Sequence, residues 1–218
     1  MKNSKKKVRL GILLSGGGRT MVNLAEYIEQ GKLDAEIVTV ISSRSNVAGV
    51  ERARELGCEP HILRVKDYPD VDEFSSKIAS VLDEAKVDLV CQCGWLCYWK
   101  ISDRYKHKVL NIHPALLPAF GGKGMWGHHV HEAVLQKGCK VSGCTVHFVT
   151  NEYDAGAILV QRTCPVLDDD DADTLAARVF REECRAYPEA IQLIAEERVI
   201  VRDGKVERKN KSPRNPCC

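Results

Sequence analysis

The sequence predicts an α/β protein: a Rossmann-like open, mostly parallel twisted sheet with helices on both faces. Three observations predict it. Short apolar runs alternate with helical patterns over residues 8–85. The run 87–93 is apolar except at Asp88 and Gln92, as in a parallel strand covered on both faces. The first run ends in a glycine turn that hands the chain to a helix, as at the phosphate-binding corner of a doubly wound sheet.

In chain order, residues 8–14 form the first strand, and Met21, Leu24, Ala25 and Ile28 lie on one face of the helix that follows Thr20. A strand is expected over 35–41, a helix over 48–56, a strand over 60–65 and a helix over 71–85. Residues 87–93 and 108–112 supply two more buried strands. Beyond Asn111 the chain is too rich in Pro and Gly for a regular element: His113, Pro114 and Pro118 lead to Gly121, Gly122, Gly124 and Gly127. That stretch is a functional-loop candidate. A helix over 130–136, strands over 144–149 and 157–160, and a long helix over 173–197, kinked or divided at Pro188, complete the body. Residues 199–206 resemble a hairpin turning at Asp203-Gly204.

The 218 residues carry 32 Lys and Arg against 30 Asp and Glu, a net +2, which disfavours wholesale nucleic-acid binding. The basic ends, Lys2 to Lys7 and Lys205 to Arg214, read as solvated tails. One catalytic domain is therefore expected over 8–207, between a basic N-terminal tail, 1–7, and a C-terminal tail, 208–218. No apolar run nears the ~18 residues of a membrane span, and no signal-peptide cleavage site is found, so a cytoplasmic protein is expected. Most of the ten cysteines fall inside apolar runs without zinc-site spacing; they read as reduced, buried small hydrophobes.

Chemistry concentrates at three places. In the turn Ser15-Gly16-Gly17-Gly18-Arg19-Thr20, backbone N–H groups at a helix N-terminus can hold a phosphate, with Gly18, Arg19 and Thr20 as the contacts. The turn lacks the Gly-Lys-Thr ending of a nucleoside-triphosphate loop, and Met21 stands where a dinucleotide fingerprint needs Gly, so a phosphomonoester fits better. A plain tight turn is the alternative. Asn111 and His113, two apart at the carboxyl end of a strand, face the same way and pair an oxyanion donor with a tunable proton carrier. The strand bearing His147 leads to a polar loop in which Asp154 can orient or charge-stabilise His113. His128, His129 and His131 share no metal-binding spacing and read as helix-surface residues. The acidic run 168–171 reads as capping of the long helix, with Asp171 or Asp173 as N-cap.

Taken together, Asn111-Ile112-His113-Pro114-Ala115-Leu116-Leu117-Pro118, the 143–149 strand and Asp154-Ala155-Gly156 resemble the signature of folate-dependent formyltransferases. The early glycine turn and Glu183-Cys184-Arg185-Ala186-Tyr187-Pro188 resemble the glycinamide ribonucleotide branch of that family, and the resemblance covers about 8–200. It implies 10-formyltetrahydrofolate as donor, no metal, and catalysis by Asn111, His113 and Asp154. It implies that Gly17, Gly18, Arg19, Thr20, Met21, Pro114 and Glu183 bind the acceptor, with Glu183 at its glycinamide end. The folate would lie near Leu96, Cys97, Val109, Asn111, Val149, Thr150, Asn151 and Asp154. Two departures from the family pattern stand out: Cys97 replaces a usual Arg, and no Arg lies near Val71.

The resemblance thus implies formyl transfer to the amine of glycinamide ribonucleotide in purine biosynthesis, by a monomer or homodimer acting on small molecules, with neither nucleic acid nor membrane as partner. In that scheme the oxyanion rests on Asn111 and protonated His113, whose pKa Asp154 raises. A formyltetrahydrofolate hydrolase, a formyltransferase acting on sugars or other amines, and a non-catalytic folate- or nucleotide-binding module remain as alternatives.

Overall fold

The structure, a computed structural model, describes residues 7–209. Most of the two expected tails therefore lies outside the described residues. The strands are β1 (Val8–Leu14), β2 (Ala35–Ser42), β3 (His61–Ile62), β4 (Leu89–Gln92), β5 (Val109–His113), β6 (Val141–Phe148), β7 (Ile158–Pro165), β8 (Val199–Arg202) and β9 (Lys205–Arg208). The helices are α1 (Arg19–Glu29), α2 (Ala48–Glu55), α3 (Val71–Glu84), α4 (His128–Gln136) and α5 (Ala172–Ala195). Seven strands form one sheet in the order β3-β2-β1-β4-β5-β6-β7. β3 to β5 run parallel; β6 is antiparallel to β5 and β7 to β6. The mostly parallel α/β sheet expected from the sequence is thus present.

Alternation along β1 explains why both faces are covered. Leu10, Ile12 and Leu14 join one apolar cluster, with Met21 and Leu24 of α1 and Tyr187 and Ile191 of α5. Leu13 points the other way, into a cluster with Phe74, Ile78 and Leu82 of α3 and with Trp95 and Trp99. Side chains two apart share a face of a strand, so a run that is apolar throughout must be buried on both sides.

Two expectations are corrected. The strand expected over 60–65 shrinks to His61–Ile62, because Val65–Asp67 turn as a single 3-10 turn. Pro188 neither divides nor ends α5, which runs unbroken for 24 residues. The ring still removes one backbone donor, but Pro188 is buried and tertiary packing outweighs its helix-breaking tendency. The hairpin turns at Asp203-Gly204 as expected, both at positive φ, with its second strand ending at Arg208. Among the described residues no helix is long and apolar enough to cross a membrane.

Strand order reverses between β1 and β4, the topological switch point where open α/β sheets place their ligands. The chain segments leaving these two strands are tied together there: the Ser15 N–H donates to the Gly94 carbonyl at 3.0 Å. The Ser15 hydroxyl accepts the Leu96 N–H at 2.9 Å and the Ser43 hydroxyl at 2.6 Å.

Candidate active site

A cleft of about 480 Å³ opens at this point, a volume suited to small-molecule ligands. One end is the glycine turn. Gly18 caps α1 at φ 70°, the left-handed region that favours glycine, and a Cβ there would lie 2.8 Å from the Gly49 Cα. Glycine therefore lets the turn close onto α2 while α1 presents its first amides to the cleft. Gly17, Gly18, Arg19 and Thr20 all line it. The Arg19 guanidinium lies 4.2 Å above the ring of Phe180 on α5, leaning on that helix. Glu183, one turn further along α5, also faces the cleft; burial pushes its carboxyl up to about 7, against the pull of Arg19.

The other wall is built from the ends of β5 and β6. Asn111 and His113 project together from β5, and His147 pairs directly across from Asn111 in the antiparallel ladder. The Asn111 amide nitrogen lies 3.2 Å from His147 Nε2. His147 Nδ1 sits 3.0 Å from the Phe148 carbonyl, which can only accept, so Nδ1 carries the ring proton of neutral His147 and Nε2 accepts from Asn111. That bond orients the amide and leaves its second N–H for a ligand. His113 Nε2 likewise donates to the Phe120 carbonyl at 2.8 Å, which leaves Nδ1 without a proton in the neutral ring.

Asp154 closes the arrangement from the loop after β6. Its two oxygens lie 3.7 Å from His113 Nδ1 and 3.6 Å from His147 Nε2, and one accepts the Gly122 N–H at 2.8 Å. Burial pushes its carboxyl up, but its hydrogen-bond and charge partners, the donating Gly122 amide among them, outweigh that and hold it below the usual value. Both backbones that serve His113 are at positive φ, Phe120 at 55° and Asp154 at 53°, conformations that cost a non-glycine residue energy. Gly156 secures the Asp154 loop against β6: a Cβ there would fall 1.7 Å from the Phe148 oxygen.

One electrostatic expectation is reversed. Asp154 does pull the His113 pKa upward, but burial is the larger effect and the imidazole is held below its ordinary value. The resting ring is therefore neutral at pH 7, a base rather than an acid.

The structure brings most of the expected residues to one cleft. Asn111, His113, Pro114, Asp154 and Glu183 line it, as do Leu96, Cys97, Val149 and Thr150. Three expected residues stand apart. Met21 is fully buried in the core beneath α1, and Val109 is fully buried on the opposite face of β5 from Leu110. Asn151 instead clamps the loop after β4, accepting the Ile101 N–H at 2.7 Å and donating to its carbonyl at 3.3 Å.

Two histidines carry more than their sequence position suggests. His147 had no assigned role, because its pairing with Asn111 depends on a strand register spanning 36 residues. His131 is 4% exposed and lines the cleft, so it is not the helix-surface residue expected; His128 and His129 are exposed. Cys91 and Cys93 share the apolar cluster, and burial pushes the Cys91 thiol up to about 12 and Cys93 well above its ordinary value, which suits packing. Among the described residues no group of three or more His, Cys, Asp or Glu side chains is arranged to hold a metal ion.

Comparison with known proteins agrees with this geometry. Residues 8–191 match the family model described as formyl transferase. The chain is 38% identical over 203 residues to the trifunctional purine biosynthetic protein adenosine-3 of Gallus gallus, a match covering 92% of this chain and 20% of that protein. It is 36% identical over 204 residues to the chloroplastic phosphoribosylglycinamide formyltransferase of Arabidopsis thaliana, covering 92% of this chain and 70% of the relative. The crystal structure of glycinamide ribonucleotide transformylase 1 from Symbiobacterium toebii superposes with a TM-score of 0.88 at 36% identity, over 94% of this chain and 95% of that one. A sheet whose switch point carries this cleft, and likenesses that run nearly the length of the chain, show that it belongs to the formyl transferase family, among the phosphoribosylglycinamide formyltransferases.

Proposed function

We propose that the chain transfers a formyl group from 10-formyltetrahydrofolate to the amine of glycinamide ribonucleotide, the purine-biosynthetic reaction for which its relatives are named. The observation that carries this reading is the convergence of Asn111, His113 and Asp154 on one wall of a cleft whose far end is the N-terminus of α1. The first amides of α1 suit the acceptor's phosphate. Glu183, on the wall between, suits its amine-bearing end. Leu96, Cys97, Val149 and Thr150 line the side left for the folate, which supplies the formyl carbon.

The chain's own groups then divide the work. Asn111, its amide oriented by His147, holds negative charge developing on the formyl oxygen with its free N–H. Neutral His113 offers Nδ1 to take the proton released as the amine attacks. Asp154, ionised and 3.7 Å away, stabilises the imidazolium so formed and so favours uptake of that proton; burial, which lowers the His113 pKa, favours its later passage to the leaving nitrogen. The sequence-based scheme, with His113 already protonated, is thus replaced by one in which it begins as a base. Free thiols at all eight described cysteines suit a reducing compartment such as the cytoplasm, and small molecules are the proposed partners of a monomer or homodimer.

The test mixes purified protein with glycinamide ribonucleotide and 10-formyltetrahydrofolate and follows tetrahydrofolate release by absorbance. Release that requires the acceptor and is lost in Asn111→Ala supports the reading. Release without acceptor means a hydrolase, and none at all sinks the transferase reading for this amine.

A further inference from the structure

We propose that His131 of α4 binds the uncharged middle of the formyl acceptor, between its phosphate and its amine, through an imidazole hydrogen bond. The inference rests on the proposed reaction but on none of the residues expected to serve it.

His131 is 4% exposed and lies on the cleft wall, yet neither ring nitrogen has a hydrogen-bond partner among the described residues. Nδ1 is wholly enclosed, whereas Nε2 is not, so the ring's remaining exposure includes the nitrogen that can reach a ligand. An unpartnered ring nitrogen that reaches a ligand cleft is a donor or acceptor that a ligand can satisfy. The position selects which ligand. α4 and α1 both pack on α5, so His131 stands with Ala176, Phe180 and Glu183 at the helical end of the cleft, the end that also holds the α1 glycine turn. The donor's proposed contacts, Leu96, Cys97, Val149 and Thr150, follow β4 and β6 instead.

The charge state fits an uncharged group rather than a phosphate. Burial, with His128 and His113 nearby, lowers the His131 pKa to about 4, so the ring is neutral at working pH. A neutral imidazole pairs well with hydroxyl and amide groups, which are what an acceptor of this class carries between its two ends.

Initial rates and calorimetric binding of glycinamide ribonucleotide should be compared for wild type, His131→Phe, which keeps a ring but no hydrogen bond, and His131→Asn, which keeps a polar group. Thermal melts show whether each variant is folded. We expect His131→Phe to raise the acceptor KM and Kd about tenfold, the donor KM to stay within twofold, and His131→Asn to recover part of the loss. An unchanged acceptor KM in folded His131→Phe overturns the proposal while leaving the reaction intact, as does an equal rise in both KM values. If wild type neither binds nor formylates glycinamide ribonucleotide, the functional reading fails and the proposal fails with it.

Discussion

His113 concentrates the opposing forces of the site in one ring. Its burial disfavours the charged form, and the Asp154 carboxylate favours it; burial wins. The acid limb of kcat/KM should therefore fall below the ordinary imidazole value of about 6.5. Replacing Asp154 by Asn removes the charge that raises the His113 pKa. The limb should then move to still lower pH while kcat falls by about 100-fold or more. A limb that moves upward in Asp154→Asn would show that the residue does not act on His113 by its charge. Asn111→Ala should cost about 10² to 10³ in kcat, the usual loss of one oxyanion donor, with little change in the melting temperature; a kcat within threefold of wild type excludes that role.

Glu183 illustrates the cost of placing a carboxyl in such a wall. Its pKa is raised in the folded protein, so the group favours folding below the unfolded value of about 4.5. That advantage is lost as pH rises to about 7 and the carboxyl must ionise inside the cleft. Glu183→Gln should therefore melt a few degrees higher than wild type at pH 8 and show a smaller gain at pH 5, while binding the acceptor less well. Equal melting differences at the two pH values would contradict the titration.

At the scale of elements, α5 shows how local chemistry and packing combine. Asp171 caps it, accepting the Thr174 N–H at 2.8 Å while the Thr174 hydroxyl accepts the Asp171 N–H at 2.9 Å. Just before the cap, Asp170 grips Arg178 through two bonds of 2.5 and 2.8 Å. Asp171→Ala should lower the melting temperature by roughly 2–4 °C, the usual effect of losing a helix cap. A melt shift below half a degree would mean that packing alone holds the helix start. An acidic cap was legible in the sequence from the run before the helix, which left Asp171 or Asp173; the bond to Thr174, three residues on, makes it Asp171. The β1 and α1 boundaries were legible from one apolar alternation and one glycine turn. β3 was misread because residues 60–65 carry strand-like apolar spacing, but only His61 and Ile62 find a partner, in β2. Of the two outcomes allowed at Pro188, a kink or a division, the division does not occur, because the context that keeps α5 continuous lies on other elements.

For the whole molecule, pH stability follows from where the titratable groups sit. The Asp170 carboxyl is held well below its usual range first by Arg178, and Asp171 is held down first by the Thr174 amide. Asp154 is held low as well. Each depressed carboxylate contributes stability that is present above the unfolded value near 4 and lost as pH falls through the folded one. His113 and His131 act in the same direction at higher pH. Buried and held below their ordinary value, they bind fewer protons folded than unfolded, so stability falls as pH drops from about 6.5 toward 4. Glu183 runs the other way between about 4.5 and 7. The melting temperature of Glu183→Gln should therefore fall more steeply than that of wild type between pH 7 and pH 5.

The sequence by itself determined the class of sheet, the place of the glycine turn, the shared facing of Asn111 and His113, and an acidic cap at the start of α5, narrowed to Asp171 or Asp173. Each depends on residues a few positions apart, whose relation is set by the periods of strand and helix and by turn chemistry. Only the tertiary structure decided that His147 orients Asn111, that Phe120 and Gly122 fix His113 and Asp154, that His131 faces the cleft while Met21 and Val109 do not, and that His113 starts neutral. Those outcomes depend on strand register, helix rotation and the balance of burial against charge. All three are set by groups far apart in the chain that come into contact only once the sheet has assembled.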